Sequence, residues 1–142
     1  MIVVLFGQPG SGKSTLAKKL ENFHNIDGDN FRRASGNTSY DKQGRIKNLN
    51  LASYIANVMH SNGVNVVLSF VYPYKICRDH LNYISGADNV KWVYLHRDSP
   101  HERDSFKVGD FETPTEEENV LTLNTSVLSV EDCVGLILSI KK

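Results

Sequence analysis

Cysteine is scarce in this sequence. Its 142 residues hold only Cys77 and Cys133, far apart and outside any C-x-x-C pattern. That argues against a disulfide-stapled fold or a thiolate zinc site and fits a reduced, cytoplasmic setting. An excess of either charge is also missing, since 16 Lys+Arg face 16 Asp+Glu. Without a basic surplus, nucleic acid is not an expected partner. Long hydrophobic runs are absent too. No segment approaches the roughly 20 apolar residues of a membrane span, so no membrane partner is expected. The apolar run at the N-terminus is short and has no basic region before it, so it reads as a strand and not as a signal peptide. Internal repeats and low-complexity tracts are lacking. His24, His60, His80, His96 and His101 show no metal-ligand spacing. What remains is a single domain over residues 1–142 with 40% apolar residues, long enough to bury about 70% of its unfolded surface.

The chain is organised around its beginning. Ile2-Val3-Val4-Leu5-Phe6 is a short apolar run, Gly7-Gln8-Pro9-Gly10-Ser11-Gly12-Lys13-Ser14-Thr15 a glycine-rich turn, and Leu16 to Leu20 a helical pattern. Gly7, Gly12, Lys13 and Ser14 satisfy G-x-x-x-x-G-K-[ST] in the strand-loop-helix context that gives the motif its meaning. The glycines, with Ser11 and Thr15 beside them, let backbone N–H groups point inward around phosphates. The following helix start favours an anion. Lys13 adds a mobile charge for the outer phosphates, and the Ser14 hydroxyl is a candidate Mg²⁺ ligand. The expectation is a site for a nucleoside triphosphate, ATP with Mg²⁺.

Further along, Asp27 and Asp29 flank Gly28 just beyond what reads as a very short strand ending at Ile26. Ligands of open α/β sheets sit at the carboxyl ends of strands. One carboxylate could accept the proton of an attacking hydroxyl while the other orders magnesium waters; a solvated Asx turn is the alternative. Residues 34–43 read as a polar loop able to close over a substrate. A helical pattern follows from Gly44 to Asn62, with Arg45 and Asn48 on one face of its first turn, placed to offer a guanidinium and an amide to a substrate phosphate or simply to solvent. Asn65 to Val71 is a β-branched run suited to a buried parallel strand. Beyond it, Tyr72-Pro73-Tyr74 could form an aromatic wall or pack in the core. Val90 to Leu95 is another strand, 96–112 a charged segment with the composition of a flap, and Val120 to Leu123 a last strand. A C-terminal helix is capped by Ser129, with Glu131 and Asp132 in its first turn. The alternation implies a mostly parallel sheet of about five strands with helices on both faces, the three-layer α/β/α sandwich of P-loop NTPases.

Several stretches resemble the adenylylsulfate kinase family. Asp27-Gly28-Asp29-Asn30-Phe31-Arg32 is similar to its D-G-D-N-x-R, and Arg45-Ile46-Lys47-Asn48 to its R-x-E-N. Ser69 to Lys75 followed by Arg78-Asp79 is similar to its S-x-[IV]-S-P-Y-R…RD, and Phe111-Glu112-Thr113-Pro114 to its Y-E-x-P. The resemblance implies ATP-dependent phosphorylation of the 3′-hydroxyl of adenosine 5′-phosphosulfate. It implies that Asp29, with Asp27, aligns and deprotonates the acceptor. Arg32, Arg45 and Asn48 would grip its anionic group, Phe70, Tyr72, Pro73 and Tyr74 would pack on its ring, and Arg103 would act on the donor side. The sequence departs from the family pattern in a shortened flap around Arg103 to Lys107 and in Lys75, which stands where the family has arginine. Those losses point to a weaker grip, which Lys75→Arg is expected to tighten. Another nucleotide-linked or sugar hydroxyl as acceptor stays open, as does a nucleotide-binding regulatory module. The expected partner is a small-molecule nucleotide substrate; whether the chain forms a homodimer also stays open.

Overall fold

Apolar runs rich in β-branched residues are stable as parallel strands only where both faces of the sheet are covered. The computed structural model describes residues 1–98 and 106–140. Among them are five strands, β1 (Ile2–Phe6), β2 (His24–Asp27), β3 (Val66–Phe70), β4 (Val90–His96) and β5 (Val120–Asn124), every adjacent pair parallel. Their order across the sheet is β2-β3-β1-β4-β5. The described residues also form five α-helices: α1 (Lys13–Ala17), α2 (Gly28–Ser35), α3 (Lys42–Ser61) and α4 (Lys75–Ser85) between strands, and α5 (Val130–Leu138) after the last.

The two-residue period of a strand sends alternate side chains of β1 to opposite faces. Ile2, Val4 and Phe6 pack with Leu49, Ala52 and Ala56 of α3 and with Cys77 and Leu81 of α4. Val3 and Leu5 pack with Leu16 and Ala17 of α1 and with Cys133 and Ile137 of α5. This is the expected three-layer sandwich. The two cysteines lie in cores on opposite sides of the sheet, so they cannot meet. Burial pushes the Cys77 thiol up to about 11, which leaves it an inert hydrophobe.

The topology fixes where a ligand can sit. From β1 the chain builds β2 and β3 on one side and then crosses to build β4 and β5 on the other. The carboxyl end of β1 therefore lies at the reversal, where open α/β sheets form their crevice.

Two local readings change. Residues just after β2 are helical, not a turn: the Asp27 side chain accepts the Asn30 N–H at 3.2 Å and caps α2. An N-cap and an Asx turn share the same side-chain-to-backbone bond, and they differ only in whether the next residues continue as helix. The polar loop is also shorter than 34–43, because Ala34 and Ser35 end α2 while Lys42 and Gln43 begin α3, capped by Asp41 onto the Gly44 N–H. At the other end Ser129 and Asp132 form a reciprocal capping box on α5, as its sequence suggests. No helix among the described residues is long and apolar enough to cross a membrane.

Candidate active site

The loop after β1 depends on glycine at two places. Gly7 has φ +148°, and a Cβ there would run into the Leu95 carbonyl oxygen of the neighbouring strand. Gly12, at φ +100°, turns the chain into α1 with no side-chain cap on the helix start. That helix ends at Ala17, earlier than its apolar pattern suggests. Lys13 Nζ donates to the Gly7 and Gln8 carbonyls, each at 2.9 Å, and to Ser11 Oγ at 3.3 Å. The ammonium is thus held against the loop it would serve. Ser11 is buried beneath the loop, and its carbonyl accepts Thr125 Oγ1 at 3.0 Å, which ties the end of β5 to the loop.

Asp27 stands opposite the helix start. Its Oδ1 accepts Ser14 Oγ at 2.8 Å and Ser69 Oγ at 3.3 Å. Hard oxygen donors gathered beside a phosphate loop are the ligand set that Mg²⁺ prefers, so Ser14 and Asp27 fit that ion, directly or through its waters. Asp29 sits in the first turn of α2 and faces the same cavity. Both carboxylates line the cavity, and Asp27 there also accepts from two hydroxyls and caps a helix.

That space is a cavity of about 920 Å³ running from the loop to α3. Gly10, Gly12, Lys13, Ser14 and Thr15 of the loop line it together with Asp27, Asp29, Arg32, Arg45, Asn48, Phe70, Tyr72 and Pro73. Gly7 supports the loop from below. Arg103 lies outside the described residues.

Of the rings the sequence offers as an aromatic wall, Phe70 and Tyr72 border the cavity and Tyr74 does not. Tyr72 and Tyr74 are both 0% exposed. Tyr72 packs edge-on against Phe70 and Trp92, and its hydroxyl pairs with Ser53 Oγ at 2.6 Å. The Tyr74 hydroxyl donates to the Asp110 carboxylate at 3.0 and 3.2 Å, and Tyr74 does not reach the cavity. Phe70 is buried as well. Rings at a strand's end pack onto the sheet first, because burying them is worth more than leaving them as a surface for a ligand. The exposed rings on the cavity are Tyr40, 62% exposed, and Phe106, 66% exposed.

The cations are also more committed than expected. Arg32 stacks on the Tyr40 ring with 4.2 Å to its centroid, and its Nη1 donates to the Ser39 carbonyl at 2.9 Å and to Asn37 Oδ1 at 3.2 Å. Arg32 thus ties the 36–41 loop to α2. Arg45 lies 3.7 Å from Asp110. Asn48 is buried, and its Oδ1 has no hydrogen-bond partner among the described residues. An orphan acceptor asks for an N–H or O–H from a ligand, a contact the sequence does not suggest. Lys75 pairs with Asp79 at 2.7 Å on the exposed side of α4 and is not part of the cavity, which removes the reason to expect Lys75→Arg to strengthen binding.

Several contributors escape sequence reading. Arg97 Nη1 donates to the Gly10 carbonyl at 3.2 Å. With Gly12, Thr15, Leu16, Thr125, Leu128 and Val130 it lines a second cavity of about 180 Å³, which shares Gly12, Thr15 and Arg97 with the first. Only its place after a strand could have marked Arg97 among so many charges. Arg78, 1% exposed, donates to the Tyr72 carbonyl at 2.8 Å, the Glu112 carbonyl at 2.9 Å and Glu118 Oε1 at 2.8 Å. It bolts the segment after residue 106 to the end of β3. The hold is also felt at Tyr72, whose φ of +46° is costly for a bulky residue and persists only where surroundings dictate it.

Comparison with known proteins places the chain in a family. The family model described as adenylylsulphate kinase matches residues 1–106. A probable adenylyl-sulfate kinase of Aeropyrum pernix is 30% identical over 105 residues, covering 68% of this chain and 57% of that protein. The adenylyl-sulfate kinase of Clostridium kluyveri is 31% identical over 104 residues, covering 67% and 52%. The chain spans about half the length of the curated relatives it matches. The fold itself is shared more widely: a sugar kinase from a Janibacter species superposes with a TM-score of 0.74 at 17% identity, covering 97% of this chain and 92% of that one.

Proposed function

We propose that this chain, which belongs to the adenylylsulphate kinase family, transfers the terminal phosphoryl group of ATP to the 3′-hydroxyl of adenosine 5′-phosphosulfate. The observation that carries the reading is the single cavity that joins the phosphate loop, the Asp27/Asp29 pair and an aromatic mouth. Lys13 and the loop amides hold the donor phosphates, and the smaller cavity beside Arg97 and Thr125 is sized for the donor's base. Ser14 and Asp27 are the residues to hold Mg²⁺, which supplies charge neutralisation to the transferring group. Tyr40 and Phe106 offer the two ring faces for the acceptor's adenine, Arg45 and Arg32 face its anionic group, and Asn48 Oδ1 accepts from a substrate N–H or O–H.

In the reaction the acceptor oxygen bonds to the γ-phosphorus, the bond to ADP breaks, and the hydroxyl proton passes to Asp29. Asp29 is assigned as base because Asp27 already accepts from Ser14, Ser69 and the Asn30 amide. Asp29→Asn keeps the size and loses the base, so turnover should fall about a hundredfold with little change in the acceptor KM. Arg45→Ala should instead raise that KM by about tenfold and spare kcat, because it removes binding shared by ground and transition states. The reverse pattern would exchange the two roles.

A second acceptor class has an observation in its favour. Asp110 beside Arg45 offsets the charge meant for an anion, and the orphan Asn48 acceptor suits a sugar hydroxyl equally well. ATP consumption is to be measured with adenosine 5′-phosphosulfate and with a panel of nucleosides and sugars, the phosphorylated position being read by NMR. Turnover of adenosine 5′-phosphosulfate to its 3′-phosphate is expected. Turnover of a sugar alone would leave the kinase and replace the acceptor.

A further inference from the structure

The phosphate loop and the segment that closes the acceptor mouth are joined through one side chain. Gln8 Nε2 donates to the Val108 carbonyl at 3.0 Å, and the Val108 N–H donates to Gln8 Oε1 at 2.8 Å. The amide thus makes both bonds that a neighbouring strand would make to Val108. Val108 is buried, and its carbonyl also accepts the Phe111 N–H at 3.3 Å. The residues just before it, Phe106 and Lys107, line the large cavity. The backbone carbonyl of Gln8, meanwhile, accepts Lys13 Nζ at 2.9 Å. One residue touches the donor-phosphate lysine with its main chain and the acceptor-side segment with its side chain.

We propose that Gln8 is a positioning residue for the acceptor: it clips Val108 to the phosphate loop and so holds the Phe106 ring at the mouth. A residue of the donor loop then sets affinity for the other substrate. The inference rests on reading Phe106 as a wall for the acceptor's ring. The residue type is demanding. Leucine fills the space and leaves both Val108 groups without this partner. Glutamate accepts from the N–H but sets a carboxylate oxygen against the carbonyl. Asparagine is a methylene too short.

The test compares wild type, Gln8→Leu, Gln8→Glu, Phe106→Ala and the Gln8→Leu/Phe106→Ala double variant, with ATP and adenosine 5′-phosphosulfate as substrates and thermal unfolding as the control for folding. Gln8→Leu should raise the KM for adenosine 5′-phosphosulfate by about tenfold, the scale of two neutral hydrogen bonds, with a smaller change in the KM for ATP. Gln8→Glu, which keeps one bond, should fall between, and it carries the test if the leucine variant does not fold. The double variant should be little worse than Phe106→Ala, because the clip acts through that ring. Acceptor KM values within about twofold of wild type in the Gln8 variants, or fully additive losses in the double variant, would overturn the clip and leave the kinase reading standing. A wild-type protein that does not phosphorylate adenosine 5′-phosphosulfate removes the reading and the clip together.

Discussion

Lys13→Ala leaves the protein folded and lowers turnover by about 10²- to 10³-fold, the loss seen when one preorganised charge contact to a transition state is removed. Folding survives because the ammonium bonds to the Gly7 and Gln8 carbonyls and Ser11 Oγ, all within the loop it belongs to. The loop's course is set by Gly7 under Leu95 and by the Thr125 bond to Ser11, and neither involves Lys13. Turnover suffers because the lysine charge is the part of the loop that can follow the outer phosphates as charge moves among them. Lys13→Arg should not rescue it: a planar fork that is longer and wider cannot sit where a compact ammonium reaches the loop carbonyls. The check is kcat together with thermal unfolding for both variants. Activity within a few-fold of wild type would end the assignment of this loop to phosphate transfer.

Arg78→Met costs about 3–5 kcal/mol of folding stability, the range for breaking a buried ion pair from one side. That is a large share of the roughly 5–15 kcal/mol that holds a domain of this kind. The guanidinium is wholly buried, and removing it strands Glu118 and the Tyr72 and Glu112 carbonyls at once. Methionine fills the volume, so the loss measures the polar network and not a void. Adding Glu118→Leu should recover part of the stability by removing the stranded carboxylate, but not all of it, since the two carbonyls stay without Arg78. Full recovery would mean that the carbonyl bonds contribute nothing. Denaturant titration of the three variants decides this.

The same pair has a pH signature. Burial alone would push the Glu118 carboxyl up, but hydrogen bonds from Arg78 and from the Thr115 amide, with the Arg78 charge, outweigh it and hold the group below its ordinary value. A carboxyl depressed in the folded state binds its proton more readily when unfolded. Its contribution is therefore present above the ordinary glutamate pKa and is lost as pH falls through the lower folded value. Acid titration of wild type should show this loss, and Glu118→Gln should remove that part of it.

The phosphate loop was legible residue by residue because its chemistry is local: the turn, the lysine and the hydroxyl follow one another along the chain. Strand and helix positions were legible for the same kind of reason, since the period of apolar residues is a local property, and Ser129 marks its helix start with its own side chain. The short α2 was missed because Asp27 caps a helix with the same bond that closes a turn. None of the eight residues of that helix is buried, so it has no apolar stripe to show. Family resemblance brought Asp27, Asp29, Arg45 and Asn48 into one site, and the fold sets all of them around one cavity.

Which aromatic rings stay exposed on that cavity could not be read from the chain. Tyr72 and Tyr74 follow a strand as naturally as rings meant for a ligand would, yet both are buried, and only Tyr72 still borders the cavity. Tyr40 and Phe106 remain outside because no core reaches them. The work of the cations was equally hidden. Arg78 is spent on carbonyls and a carboxylate up to 40 positions away in sequence, and Arg32, on the cavity, also holds its own loop. Gln8, a variable position of the loop motif, acquires a role only because Val108 returns to it across 100 residues. Propensity, period and capping act over a few residues, so a sequence displays them. Competition among side chains for burial and for distant hydrogen-bond partners is settled when the layers close, and that settled here which residues became core, which became clamp and which stayed open to a substrate.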